Sequence, residues 1–102
     1  MSKYILNTSF HLTKNVKDEF IKWAKETYIP AALETGFLSS PVFTKILAEI
    51  EPGTESYAIH FKMDDLKQAA EWHDTIAAEL KNAIHNKTNK QVLFFTTYME
   101  EI

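Results

Sequence analysis

The sequence has no cysteine and no arginine, and its 102 residues include only two glycines and three prolines. Without cysteine there is no disulfide, no zinc-thiolate or iron–sulfur centre and no thiol nucleophile. The two glycines, Gly36 and Gly53, lie too far apart to write a phosphate-cradling loop or a dinucleotide fingerprint. All eleven basic residues are lysine, set against fourteen acidic ones, for a net charge of −3. A chain of that balance, without guanidinium forks, is not expected to take nucleic acid as its main partner. Long apolar runs are missing too: the longest stretch of aliphatic and aromatic residues is Val92 to Phe95. That is far short of the roughly 18 residues needed to span a bilayer.

What is present fits one globular domain over residues 1–102, with 45% hydrophobic and 13% aromatic residues. The stretch Met1-Ser2-Lys3-Tyr4-Ile5-Leu6-Asn7 carries no apolar run of signal-peptide length, so a soluble cytoplasmic protein with no membrane partner is expected. Neither a repeat at solenoid spacing nor a low-complexity linker is visible.

The hydrophobic period changes along the chain and marks the elements. From Tyr4 to Leu12 it is two, as in a strand with one apolar face. From about Asn15 to Ile29 it is helical, with Val16, Phe20, Trp23, Ala24 and Thr27 on one stripe. Pro30 ends or kinks that helix, and Ala31 to Thr35 add a turn closed by Gly36. Pro41 to Ile50 and Ser56 to Met63 read as a strand pair around Pro52-Gly53, which suits a type II turn. Asp64 is the expected N-cap of a second helix to about His85, with a stripe of Leu66, Ala70, His73, Ala77, Leu80 and Ile84. Lys90 to Met99 is the last strand.

The order β-α-β-β-α-β is a ferredoxin-like split βαβ unit in the α+β class. Right-handed crossovers put both helices on one face of a four-stranded antiparallel sheet, with the first and third strands central. The other face would carry Asn7, Ser9 and His11 with Ala58, His60 and Lys62. The edge strands are apolar on both sides: Val92, Phe94 and Tyr98 against Leu93, Phe95 and Met99, and Val42, Ile46 and Ile50 against Phe43 and Leu47. So much apolar surface on an uncovered face predicts a homodimer packed sheet to sheet. Asn7, Ser9 and His60 would then converge in a cavity, either as a satisfied polar patch or as a small-molecule site.

Other chemistry is thin. No two histidines stand at i and i+4 on a helix, so no metal site is expected. His73 falls on a buried stripe, His85 near a helix C-terminus where the dipole accounts for it, and His11 has no signature beside it. None of Ser9, Ser39, Ser40 and Ser56 sits in a nucleophile elbow. No catalytic constellation is legible.

One set of segments is more specific. Trp23, then Tyr28-Ile29-Pro30, Thr35-Gly36-Phe37, Ser56-Tyr57-Ala58-Ile59-His60-Phe61 and Phe94-Phe95-Thr96-Thr97-Tyr98-Met99 resemble the DUF4286 family of short bacterial proteins of unknown function. The likeness runs over nearly the whole chain and implies a ferredoxin-like subunit of the dimeric α/β-barrel type. Tyr28 stands where that family often has His, and His60 where it often has Gln. A tyrosine there can donate a hydrogen bond but does not titrate near neutral pH. The resemblance brings no activity with it.

Three functional readings follow. The first is a homodimer that binds a small apolar or aromatic molecule between sheet and helices, with no cofactor, using Asn7, Ser9, Tyr28 and His60. The second is a cofactor-independent monooxygenase- or isomerase-like enzyme, with His60, Asn7 and Tyr28 as its polar groups. The third is a purely structural or interaction dimer.

Overall fold

The computed structural model of the chain describes residues 3–48 and 51–102. Strand β1 (Tyr4–Thr13) buries every second side chain: Leu6, Thr8, Phe10 and Leu12. Strand β3 (Thr54–Met63) does the same with Tyr57, Ile59, Phe61 and Met63. The alternation follows from the two-residue repeat of a strand covered on one side. Strands β2 (Ser39–Ile46) and β4 (Val92–Glu100) complete a sheet in the order β2-β3-β1-β4. Each neighbouring pair is antiparallel, and both helices pack against one face. This is the ferredoxin-like arrangement the order of elements implies.

The first helix begins with a 3-10 turn, Lys14–Val16, and an α-helical segment, Lys17–Trp23. It then widens into a π-helical turn, Ala24–Tyr28, before an α-helical segment, Ile29–Glu34. The wide turn changes which residues face the sheet. Phe20, Ala24, Tyr28 and Ala32 are buried at a strict four-residue spacing, whereas Thr27 is exposed. A plain α-helix would rotate a four-residue stripe away from the core, and the π turn, which adds a residue, takes up that drift. Pro30 therefore does not end the helix. It sits in the first turn of the segment Ile29–Glu34, where its missing N–H is least costly. Gly36 follows at a φ of 78°, a left-handed conformation suited to glycine.

The second helix repeats the design. Leu66–Trp72 and Ala78–Lys87 are α-helical, and His73–Ala77 between them is a π turn. Its buried positions are Ala69, Trp72, Ala77, Lys81 and Ile84, while Leu66 and Ile76 are exposed. The step from Trp72 to Ala77 spans the wide turn, and it brings Lys81 rather than Leu80 fully inside.

Three boundaries differ from the sequence expectation for local reasons. β2 begins at Ser39, before Pro41, because a bulge between Ser39 and Val42 absorbs the proline. It stops at Ile46, and the expected extension to Ile50 runs into Glu49 and Ile50, which lie outside the described residues. The N-cap of the second helix is Asp65, one residue later than expected. Its Oδ1 accepts from the backbone N–H of Lys67 at 2.9 Å and of Gln68 at 3.2 Å. Asp65→Ala is expected to cost about 1 kcal/mol. Differential scanning calorimetry should show a melting point lower by roughly 4–8 °C, with Asp64→Ala unchanged.

Between sheet and helices lies an aromatic core. Phe20 is in ring contact with Phe10 at 4.9 Å, Tyr57 at 5.4 Å, Trp23 at 5.9 Å and Phe43 at 6.0 Å. Tyr28 stacks on Trp23 with ring centroids 5.0 Å apart and planes 17° from parallel.

Candidate functional site

The sheet separates two groups of polar residues, one inside the core and one on the open face. The inner group centres on Lys81. Its Nζ donates to Thr8 Oγ1 and Thr96 Oγ1, both at 2.9 Å. It also lies 5.8 Å from the Tyr28 ring centre and 5.6 Å from that of Phe94. Among the described residues no carboxylate pairs with it. Burial without a counter-charge disfavours the ammonium form, and the lysine pKa falls to about 7.

Thr96 links this lysine to the protein surface. His73 Nε2 lies 2.8 Å from Thr96 Oγ1, and its Nδ1 lies 3.2 Å from the carboxylate of Asp74. Burial, with the charge of Lys81 adding to it, holds the His73 pKa below its ordinary value. Tyr28 completes the group, its hydroxyl 3.4 Å from Thr8 Oγ1, and burial pushes its pKa up to about 12. The indole N–H groups of Trp23 and Trp72 are buried beside it without a hydrogen-bond partner. The space around Lys81 is filled by side chains: Tyr28, Phe10, Phe61 and Ile84 all bury completely.

The outer group is built by the strand register. β1 and β3 pair Asn7 with His60, Ser9 with Ala58 and His11 with Ser56. Because alternate residues share a face, Asn7, Ser9 and His11 stand in a row opposite His60, Ala58 and Ser56. Asn7 Nδ2 donates to Ser9 Oγ at 3.4 Å. His11 Nδ1 lies 2.9 Å from Ser56 Oγ, and its Nε2 lies 3.5 Å from the carboxylate of Glu51. A hollow of about 440 Å³ opens here, walled by Ile46, Leu93 and Phe95 and floored by Ser9, His11 and Ser56. Further apolar groups flank it on the same face: Val42 on β2 and Met99 on β4, both exposed.

The sequence grouping of Asn7, Ser9, Tyr28 and His60 is thus divided. Asn7, Ser9 and His60 share the open face, but Tyr28 reaches Thr8 from the helix side and stands behind the sheet. The reason is the alternation of β1, in which Thr8 faces inward and its neighbours outward. Lys81 is absent from the sequence grouping because lysine on a helix ordinarily reads as solvated. Its spacing, four residues after Ala77 and three before Ile84, is the signal that places it on the buried stripe. The partners of His11 have no signal in the sequence, since Ser56 is brought to it only by the register.

Sheet order, crossover and helix placement define a ferredoxin-like protein. Two solved structures share that fold, both dimeric ferredoxin-like proteins from an uncultured marine organism. One is 18% identical with a TM-score of 0.64, covering 98% of this chain and 89% of that one. The other is 15% identical with a TM-score of 0.66, covering 100% and 97%. The family model named "Domain of unknown function (DUF4286)" matches residues 3–102, and the chain belongs to that family. No curated protein matches the chain at a significant level. No helix among the described residues is long and apolar enough to cross a membrane.

Proposed function

We propose that the chain forms a homodimer through its uncovered sheet faces and holds a small apolar or aromatic molecule against that face. The observation that carries this reading is the hollow of about 440 Å³ over Ser9, His11 and Ser56. Its walls are apolar and its floor polar, the composition of a small-molecule site. The space between sheet and helices, the other location a ligand could take in this fold, is occupied by buried aromatic side chains and Lys81. Exposed Phe95, Leu93 and Met99 form an apolar surface that a monomer would leave in water. The two structural neighbours are described as dimeric, which supports the same assembly. Asn7 and His60, opposite each other beside the hollow, supply polar contacts to the bound molecule.

Sedimentation velocity at micromolar concentration tests the assembly. The wild-type chain is expected to sediment as a dimer, and Phe95→Asp to weaken the dimer by at least about 10²-fold, because a carboxylate would be buried unpaired. A wild-type monomer under these conditions overturns the reading. The ligand is tested with 1-naphthol as a fluorescent probe. Ser9→Trp, which fills the hollow, is expected to lose tenfold or more in affinity while remaining folded.

A further inference from the structure

We propose that Ser56, His11 and Glu51 form an acyl-transfer site that hydrolyses small aryl esters held in the hollow. This rests on the hollow being a ligand site, and adds to it a substrate class and a reaction.

Ser56 is buried and lines the hollow, so its hydroxyl faces a bound molecule rather than bulk water. His11 Nδ1 lies 2.9 Å from Ser56 Oγ, within the range for general-base catalysis. The Glu51 carboxylate lies 3.5 Å from His11 Nε2. It favours the tautomer with the proton on Nε2 and leaves the Nδ1 lone pair to accept from Ser56. It also faces the positive charge that forms on the ring when the serine proton arrives. A nucleophile, a base and a group that orients the base are therefore in line, with the two ring nitrogens exchanged relative to the serine protease arrangement.

Ser9 supplies the fourth role. It is the diagonal cross-strand neighbour of Ser56 on the same face, about 7–8 Å away along the backbone. Its oxygen accepts from Asn7 Nδ2 at 3.4 Å, which leaves its own proton free to point into the hollow. A carbonyl oxygen lying between the two serines would receive that hydrogen bond.

In the reaction, Ser56 Oγ attacks the ester carbonyl carbon and its proton passes to His11 Nδ1. The tetrahedral oxyanion takes the Ser9 hydrogen bond. Its collapse breaks the bond to the aryloxide, which leaves as the phenol with the proton from His11. Water, deprotonated by the same imidazole, then attacks the acyl-serine, releases a carboxylic acid and restores the Ser56 hydroxyl.

The class of ester follows from what the site has and lacks. β1 is hydrogen-bonded on both sides, to β3 and to β4, so it offers no pair of free backbone N–H groups. With one hydroxyl as oxyanion donor, the site suits a phenolic leaving group, whose conjugate acid has a pKa near 10, and not an amide. Phe95, Leu93 and Ile46 provide the apolar wall that an aryl ring would contact.

The test uses 4-nitrophenyl acetate with the full-length chain. The expected result is a burst of about one 4-nitrophenolate per chain, with the acetyl group found by peptide mass mapping on Ser56. Ser56→Ala should abolish acetylation of that peptide, and His11→Gln should slow acylation by about 10²-fold or more, with 1-naphthol still bound in both. Acetyl groups on lysine or histidine alone, or equal acylation by wild type and His11→Gln, overturn the assignment. If 1-naphthol binds the wild type but no acetyl-serine forms, the serine assignment fails alone. If neither occurs, the hollow as a ligand site fails with it.

Discussion

Lys81→Met is expected to make the protein more stable at neutral and mildly acidic pH, and to remove most of the pH dependence of its stability. The buried lysine has a pKa of about 7 in the folded chain against 10.5 for the ordinary side chain. Between those values the unfolded chain holds a proton that the folded chain has released, so stability rises with pH from about 7 to about 10. Below pH 7 both states are protonated, and the full cost of burying the ammonium is present. The shift corresponds to up to about 5 kcal/mol. Met has a similar reach, no charge and no need of a partner. The hydroxyls left behind are not orphaned, since Thr8 and Thr96 lie 3.2 Å apart and keep Tyr28 and His73 as partners.

Tyr28 sets the upper limit of that window. Its folded pKa of about 12 lies above the ordinary value of 10.0, so stability falls again as pH rises past 10 and the unfolded tyrosine ionises. Urea denaturation from pH 6 to pH 11 should trace a maximum near pH 10 in the wild type. In Lys81→Met the rising limb should be absent. A wild-type profile that is flat between pH 7 and pH 10 would contradict this account of the lysine.

Phe20→Ala should be the most damaging single truncation in the core. Phe20 is completely buried and is the point where the first helix meets β1, β2 and β3, through Phe10, Phe43 and Tyr57. Removing the ring forfeits its transfer energy and leaves a cavity edged by rings that cannot close on it, at about 3–5 kcal/mol. A domain of this size has about 5–15 kcal/mol in total. In urea the midpoint should drop by roughly 2 M. A drop below a third of that would mean that the surrounding rings repack.

Most of the fold was legible because it rests on two periodicities and a chirality rule. Tyr4 to Leu12 alternates cleanly, so the sides taken by Leu6 and Phe10 and by Asn7 and Ser9 follow without knowledge of any neighbour. The central place of β1 and β3 follows from the handedness of the crossovers. The helices were legible as helices but not in phase. An unbroken α period selects Thr27 and Leu80, and the wide turns bury Tyr28 and Lys81 instead. Nothing in local composition announces such a turn. The open face was half legible: Asn7, Ser9 and His60 lie together because strand period alone puts them there. The contact of His11 with Ser56 depends on a register between strands joined only through a distant crossover, and the position of Glu51 depends on the hairpin. Tyr28 was misassigned to that face because a helix residue named by family resemblance has no strand parity to say which side it serves.

The paired wide turns have a consequence for how this chain can vary. The first lies at Ala24–Tyr28 and the second at His73–Ala77, equivalent places in the two halves of the molecule. Each holds one residue beyond what an α-helix of the same span would need. Loss of a single residue from either turn would swing everything after it by about 100°. In the first helix Ala32 would leave the core, and in the second Lys81 would move into water. Gains and losses of length among descendants of this sequence should therefore collect in the hairpin and at the helix ends, and spare these ten positions. Where a relative lacks one of them, the rest of that helix cannot be compared with this one position by position.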